Sequence, residues 1–370
     1  MRIYHVTQTI YPYIVGGEPI QCHETSNLQS INNQVTVLTA KRGNKIEETK
    51  CDYFLKQFTW LKMPWDFVGM ENPICPGLWW DLLESDYDVL HAHSQLFFIT
   101  FFSIIISKIK NKPSMITVHG IKAIRDRATN FLQEMWLQIL ARYIFQLTDK
   151  VQCMTEKDAK KILRYGVEAK KIVVIPNGID IDFFRSGHPA KKHNNYILWI
   201  GRFVEEKGLK YLVGAMESVT KDFPDKKVIL VGEGPLKKEI QLQIHNTGLD
   251  KNFEIRDNCS QKEIVALMQG CELFVLPSLQ EGFPKSILEA MICEKPVITT
   301  DGLKEIVGNA GITVTPGSIE ELKNAILFYV SHPSVAKKSG REGRKYVEKN
   351  FSWDIVNKKI EGVYASLIGK

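Results

Sequence analysis

CELFVLPSLQEGFPKSILEA, residues 271–290, passes from an apolar run through a polar turn into a helical pattern. The run CELFVLPS reads as a strand buried on both faces, because its apolar residues are continuous rather than alternating. LQEGF is then the loop after the strand. Pro284 suits the first turn of a helix, where its missing N–H costs nothing. Glu281 therefore sits on the loop and Glu289 inside the helix. Five helical residues separate Pro284 from Glu289, roughly 7.5 Å at the usual rise. Two carboxylates so placed spread along a ligand rather than facing one bond. They fit a long polar molecule with hydroxyls at both ends and an anion in the middle. The helix N-terminus near Lys285 and Ser286 would face that anion. A nucleotide sugar has this layout: sugar, diphosphate, ribose.

The same alternation of strand and helix runs through the rest of the chain. RIYHVTQ, QVTVLTA, DVLHAHS, SMITVHG and KVQCMTE read as strands in the first half; YILWIGR, KKVILVGEG, NFEIRDN and PVITTD join CELFVLP in the second. Amphipathic segments such as IKAIRDRATNFLQEMWLQILARYIF and KGLKYLVGAMESV lie between them. This implies parallel sheets covered by helices. The pattern restarts near residue 195, after the polar stretch RSGHPAKKHNN, which reads as a linker. The expectation is an α/β chain of two Rossmann-like, doubly wound domains facing a cleft. One spans 1–184 with 352–370, the other 185–351. Ligands of such sheets bind at the carboxyl ends of the strands.

The totals agree. At 370 residues the chain is about twice a typical domain. The net charge of +6 allows an anionic partner without demanding one, and nothing points to nucleic acid. Seven cysteines with no C-x-x-C argue against a disulfide framework or a zinc site and for a reducing cytosol. MRIYHVTQTI opens as a strand rather than a signal peptide. LFFITFFSIIIS, residues 96–107, is too short to span a bilayer and reads as a buried helix.

Further motifs fall at strand ends. Gly16 and Gly17 follow the first strand and precede a helical pattern, where backbone N–H groups can approach an anion. They do not form G-x-G-x-x-G. GRFVEEKGLKYL places Arg202 and Lys207 after the first strand of the second half; an arginine fork and a lysine point charge suit a diphosphate. VGEGP, residues 231–235, is a second glycine-rich turn at the same edge. Other features read as structural. DYD, residues 86–88, has metal-site spacing but precedes a strand. Trp79 and Trp80 read as core. His91 and His93 alternate on a strand, and His93 is a candidate acceptor contact.

Together YPYIVGG, DVLHAHS, ITVHG, IPNGID, GRFVEEKG, VGEGP, LPSLQEGFPKSILEA and the late FSW resemble the GT-B glycosyltransferases of family 4, in order and over nearly the whole chain. The resemblance implies a retaining transfer of a sugar from a UDP- or GDP-sugar to a glycan, polysaccharide or lipid-linked acceptor. No metal or cofactor is implied. It assigns Glu281 to the donor sugar's hydroxyls and Glu289 to the ribose. Arg202 and Lys207 would bind the diphosphate with Lys285, and Gly16 and Gly17 would close on it. His119 would stand near the sugar's reacting face, and the C-terminal helix would pack on the first domain. The chain departs from the family's pattern at DGLKEIV, where Gly302 stands alone, and at Glu294, where glycine is usual.

The basic stretch with Lys108, Lys110, Lys112, Lys122, Arg125 and Arg127, followed by Phe131 and Trp136, suggests an anionic membrane as a partner. The expected location is cytoplasmic, peripheral on the inner face of the membrane. Two other readings stay open: a sugar-nucleotide epimerase of the same fold, or a non-catalytic partner subunit. Nucleobase recognition is expected around Arg256 and Asp257.

Overall fold

A computed structural model describes residues 1–10, 17–41, 51–62, 72–120, 127–185, 195–257 and 259–369. It divides into two compact units, Met1–Gly178 with Trp353–Lys370, and Ile179–Ser352.

The first unit is built on β1 (Arg2–Thr7), β2 (Gln34–Ala40), β3 (Phe54–Phe58), β4 (Val89–His93), β5 (Ser114–Val118), β6 (Lys150–Cys153) and β7 (Ile172–Val174). All pair in parallel, in the order β3-β2-β1-β4-β5-β6-β7. The second unit carries β8 (Tyr196–Ile200), β9 (Lys227–Val231), β10 (Phe253–Arg256), β11 (Leu273–Leu276), β12 (Val297–Thr300) and β13 (Gly311–Val314). Its parallel order is β10-β9-β8-β11-β12-β13. Both sheets are doubly wound. The strand order reverses between β1 and β4 in one and between β8 and β11 in the other, and these switch points are where such sheets hold ligands.

The central strands are buried along their length, which parallel packing under helices requires. The strands missing from the sequence reading are β3, β7 and β13. β3 is a polar edge strand, FLKQF, whose Phe54 is 71% exposed. β7 has three residues and β13 four, too few for periodicity.

Four expectations need correction. The division falls at residues 178 and 179, not 184 and 185, because the helix Ile181–Arg185 is fastened to the second unit: Gln269 Nε2 donates to the Phe184 carbonyl, 3.0 Å. The second crossing falls between Ser352 and Trp353. Trp80 is 65% exposed rather than core, whereas Trp79 packs on Phe102 with ring centroids 4.6 Å apart. Pro284 is the N-cap of the helix Lys285–Ile292 rather than a residue of its first turn.

The apolar helix Phe98–Ile109 is mostly buried, and no described helix is long and apolar enough to cross a membrane. Asp86 and Asp88, of the metal-like DYD, hold Arg2 at 2.6 and 2.8 Å, and Lys112 joins Asp86 at 2.9 Å. The helix Trp353–Ile368 packs in the first unit, against the helix Gly17–Ser30. Glu294 adopts a positive φ of 58° while its carboxylate pairs with Arg344 at 2.7 Å, so its turn is structural.

Candidate active site

At the β8/β11 switch point two loops are laced together. The Glu206 carbonyl accepts the amides of Leu279 and Gln280, at 2.8 and 3.4 Å. Gly208 stands at φ 63°, and a Cβ there would lie 2.1 Å from the Pro277 carbonyl oxygen. Only glycine allows this approach. The VGEGP turn closes on the same loop. A Cβ at Gly232 would lie 2.0 Å from the Gly201 oxygen, and the Phe203 amide donates to the Glu233 carbonyl at 2.8 Å. The glycines of GRFVEEKG and VGEGP thus serve close backbone packing that fixes where the loop's cations stand.

That lacing brings Lys207 onto Glu281. Lys207 Nζ is ion-paired with Glu281 Oε1, and Ser278 Oγ donates to the same oxygen at 2.9 Å. Ser278 is buried, its carbonyl held by Thr300 Oγ1 at 2.7 Å, so β12 anchors the loop that carries Glu281. Arg202, on the exposed side of the β8 loop, makes no side-chain ion pair among the described residues. Lys285 opens the following helix, and Glu289 lies four residues on, along the same face. Burial pushes the Glu289 carboxyl up to about 7, with Lys285 pulling it back. A carboxyl so held lacks the hydrogen-bond donors that would favour its charge. Arg256 is engaged by Glu254 at 2.6 Å and Asp257 by Lys237, so the structure gives neither a free hand for a base.

The first unit holds a different feature. His5, His91, His93 and Thr117 share one face of its sheet, because His5 is in register with His91 and His93 with Thr117. All four are fully buried. His91 Nε2 meets Thr117 Oγ1 at 2.6 Å, and Thr117 Oγ1 donates to Gln152 Oε1 at 2.8 Å. His91 Nδ1 meets Tyr364 of the C-terminal helix. Burial lowers His5 to about 4, and lowers His91 and His93 well below the ordinary histidine range, with neighbouring rings adding to the effect for the last two.

His93 therefore cannot touch an acceptor: its ring is enclosed, between His5 at 3.0 Å and His119 at 3.3 Å. Its place on the strand face was legible, but which layer covered that face was not. Among the described residues, ligand atoms of His5, Cys22 and His93 lie within 4.8 Å of one another. His5 Nδ1 and His93 Nε2 lie 3.0 Å apart as hydrogen-bond partners.

Gly16 lies outside the described residues, as do Lys122 and Arg125; Gly17 begins the first helix. Glu18 beside it was not singled out from sequence. Burial pushes its carboxyl up to about 8, while Thr7 Oγ1 donates to it at 3.1 Å. An acid directly after paired glycines at a helix start was the available signal. Ser278, His5 and Tyr364 were also missed; the first carried no signal, whereas His5 is a polar residue inside an apolar strand. Two of the basic residues of 108–127 have structural partners. Lys110 Nζ caps the helix Pro76–Glu84 through the Leu82, Leu83 and Ser85 carbonyls, and Lys112 pairs with Asp86.

Comparison with known proteins matches this layout. Residues 21–183 fit the family Glycosyltransferase Family 4, and residues 180–346 fit Glycosyl transferases group 1. An uncharacterized glycosyltransferase of Methanocaldococcus jannaschii is 28% identical over 299 residues, 78% of each chain. The UDP-Gal:alpha-D-GlcNAc-diphosphoundecaprenol alpha-1,3-galactosyltransferase of Escherichia coli is 26% identical over 311 residues, 78% of this chain and 77% of that one. The crystal structure of Anabaena HepE in complex with UDP superposes with a TM-score of 0.81 at 22% identity, covering 99% of this chain and 100% of that one. With two doubly wound parallel sheets, and family matches in series along most of its length, the chain belongs to the GT-B glycosyltransferases of the family 4 type.

Proposed function

We propose that this glycosyltransferase moves a hexose from a UDP- or GDP-sugar to a glycan or lipid-linked acceptor, with retention and without a metal or cofactor. The observation that carries the reading is the β8/β11 switch point, where Arg202, Lys207, Glu281, Lys285 and Glu289 share two laced loops and one helix start. Arg202, Lys207 and Lys285 take the diphosphate, and Glu289 takes the ribose hydroxyls. Glu281 takes hydroxyls of the donor sugar, and His119 serves at its reacting face. The anomeric C–O bond breaks toward the diphosphate, whose growing charge the fixed cations stabilise. The acceptor oxygen bonds to the oxocarbenium-like carbon. Its proton passes to the departing phosphate oxygen. The fixed cations supply positive charge where a metal would otherwise act. HepE was crystallised with UDP, and the Escherichia coli relative is named for a UDP-sugar donor and a lipid diphosphate acceptor; both support the donor and acceptor classes.

The test is a thermal-shift panel with UDP, GDP, ADP and CDP. At a hundred times its dissociation constant one of them adds about 2.7 kcal/mol. Arg202→Ala is expected to lose that shift. Hydroxyl donors favour the charged carboxyl of Glu289, so binding releases a proton and affinity rises as pH climbs through about 7. Glu289→Gln flattens this slope in calorimetric titrations. No shift with any diphosphate in the wild type would sink the reading and favour the non-catalytic alternative.

An exposed apolar stripe supports a membrane-held acceptor. Phe131, Met135, Ile139 and Tyr143 recur every four residues from the helix Arg127–Trp136 through the π-turn Leu137–Ala141, with Arg142 exposed beside them. Sedimentation with anionic vesicles is expected to carry the protein down, and Phe131→Ser with Ile139→Ser to leave it in solution. Sedimentation that ignores anionic lipid would overturn this.

A further inference from the structure

The helix Pro333–Asn350 packs one face on the helix Lys285–Ile292 and turns the other outward. Ala336, Gly340, Gly343 and Val347, three or four residues apart, form the inner face and are buried. The fit there is close. A Cβ at Gly340 would lie 2.0 Å from the Glu294 carbonyl oxygen, and one at Gly343 would touch Met291 at 3.4 Å. Arg344 clamps the edge of this contact, with Glu294 at 2.7 Å and Glu348 at 2.9 Å. Packing of the inner face therefore fixes which residues point outward.

The outer face is a row of cations. Lys337, Arg341, Lys345 and Lys349 recur at every fourth residue, and all four are exposed. At the usual helical rise the row is roughly 18 Å long, turning about 40° round the helix at each step. None of the four makes an ion pair among the described residues. The two acids of the helix, Glu342 and Glu348, pair with Lys338 and Arg344 instead, at 3.9 and 2.9 Å. Like charges four residues apart repel one another, so the helix itself gains nothing from the row. The contrast with the first unit is direct: Lys110 and Lys112, in the basic stretch that the sequence offered for a membrane, are held by backbone carbonyls and by Asp86.

The shape of the row selects among anionic partners. A polyanionic chain is held in a groove and stacks on aromatic rings. This row lies on the convex outer side of a helix, and Ser334, Lys338 and Glu348 interleave with it. A planar array of anionic headgroups meets such a line of charge along its whole length, each cation strengthening adsorption about fivefold. We propose that the outer face of the helix Pro333–Asn350 is an anionic-lipid surface of the second unit, on which Lys337, Arg341, Lys345 and Lys349 take lipid phosphates. It depends neither on the donor reading nor on the apolar stripe of the first unit.

The test removes that stripe first. The Phe131→Ser, Ile139→Ser protein is sedimented with phosphatidylcholine vesicles, with and without phosphatidylglycerol. At about 10 mM salt, where charges act over about 30 Å, it is expected to go down with the anionic vesicles and to stay in solution with the neutral ones. Near physiological salt, where that range falls to about 8 Å, it is released. Adding Lys337→Gln, Arg341→Gln, Lys345→Gln and Lys349→Gln lowers the low-salt affinity about a hundredfold, with the thermal transitions unchanged. Removing as many exposed charges elsewhere, by Lys157→Gln, Lys160→Gln, Lys238→Gln and Lys262→Gln, lowers it only a few-fold. Equal losses in the two variants would reduce the effect to net charge and overturn the proposal. So would a serine variant that ignores anionic vesicles at low salt. A row variant that still sediments but no longer binds heparin would overturn it too, and would make the row a site for an acidic polymer.

Discussion

Mild acid unfolds the first unit before the second. His5, His91 and His93 are held neutral by burial, His5 down to about 4 and the other two well below the ordinary range. In the unfolded chain each takes up a proton near its ordinary value of about 6.5. A depressed histidine therefore contributes stability that is complete above about 6.5 and drains away as pH falls toward the folded value. Glu18 works in the opposite sense. Its folded value of about 8 lies above the unfolded one, so the folded unit holds a proton the unfolded chain has lost. Burial lowers His23 of the same unit as well, so the depressed rings outnumber the one carboxyl and unfolding takes up protons on balance as pH falls below about 6.5. Each proton so taken up lowers stability by roughly 1 kcal/mol per pH unit. Over two units of pH this amounts to several kcal/mol, a large part of the margin of a weakly stable domain.

The second unit has no such debt among its described residues. Its described histidines, His245 and His332, lie on the surface, and Glu289, with a folded value near 7, makes the unit more stable as pH falls toward the carboxylate range. Calorimetry from pH 7.5 to 5 is expected to resolve two transitions that separate as pH falls. The lower one should drop by roughly 10–20 °C, given about 2–4 °C per kcal/mol for domains of this size. Two transitions that move together, or a first one that stays level to pH 5, would show that the rings are not held neutral.

The sequence carried the fold because both signals involved are local. Apolar runs long enough to be buried on both faces marked ten strands, and the loops after them marked the switch points. β3, β7 and β13 escaped because an edge strand is half wet and a strand of three or four residues has no period. The site divided along similar lines. Glu281, Glu289, Arg202 and Lys207 were legible from their place after strands. Their mutual geometry was not, because the Lys207–Glu281 pair depends on Gly208 lying against Pro277 and on Glu206 holding two amides, which are contacts between distant segments. His93 was visible on its strand face yet misread, since period two says which residues share a face and not whether helix or solvent covers it. Here the first helix and the C-terminal helix supply the partners Gln29 and Tyr364.

Glu281→Gln is expected to separate nucleotide binding from sugar transfer. In the ligand-free site the carboxylate holds Lys207, and Ser278 fixes the same oxygen. The pair holds Lys207 back from solvent, but it also competes with any phosphate for the lysine. Amide in place of carboxylate removes the charge that holds Lys207 and puts an N–H where a sugar hydroxyl expects an acceptor. A free nucleoside diphosphate needs only the cation, so its affinity should be equal or a few-fold tighter in Glu281→Gln, since loss of one half-buried ion pair shifts binding by no more than about 1 kcal/mol. A nucleotide sugar needs both partners, and its kcat should fall by about a hundred- to a thousandfold, the effect of losing one oriented polar contact that tightens in the transition state. Lys207→Met should show the converse: weak diphosphate binding, with the partly buried carboxylate left without its cation. The two variants, titrated with UDP and with a UDP-sugar, form the check. If Glu281→Gln loses the diphosphate as completely as Lys207→Met does, the pair acts as one phosphate-side unit and Glu281 is not the sugar's partner. If it keeps the diphosphate and loses turnover, the ion pair is the resting form of a site whose two halves part when the donor enters, the lysine to phosphate and the glutamate to sugar.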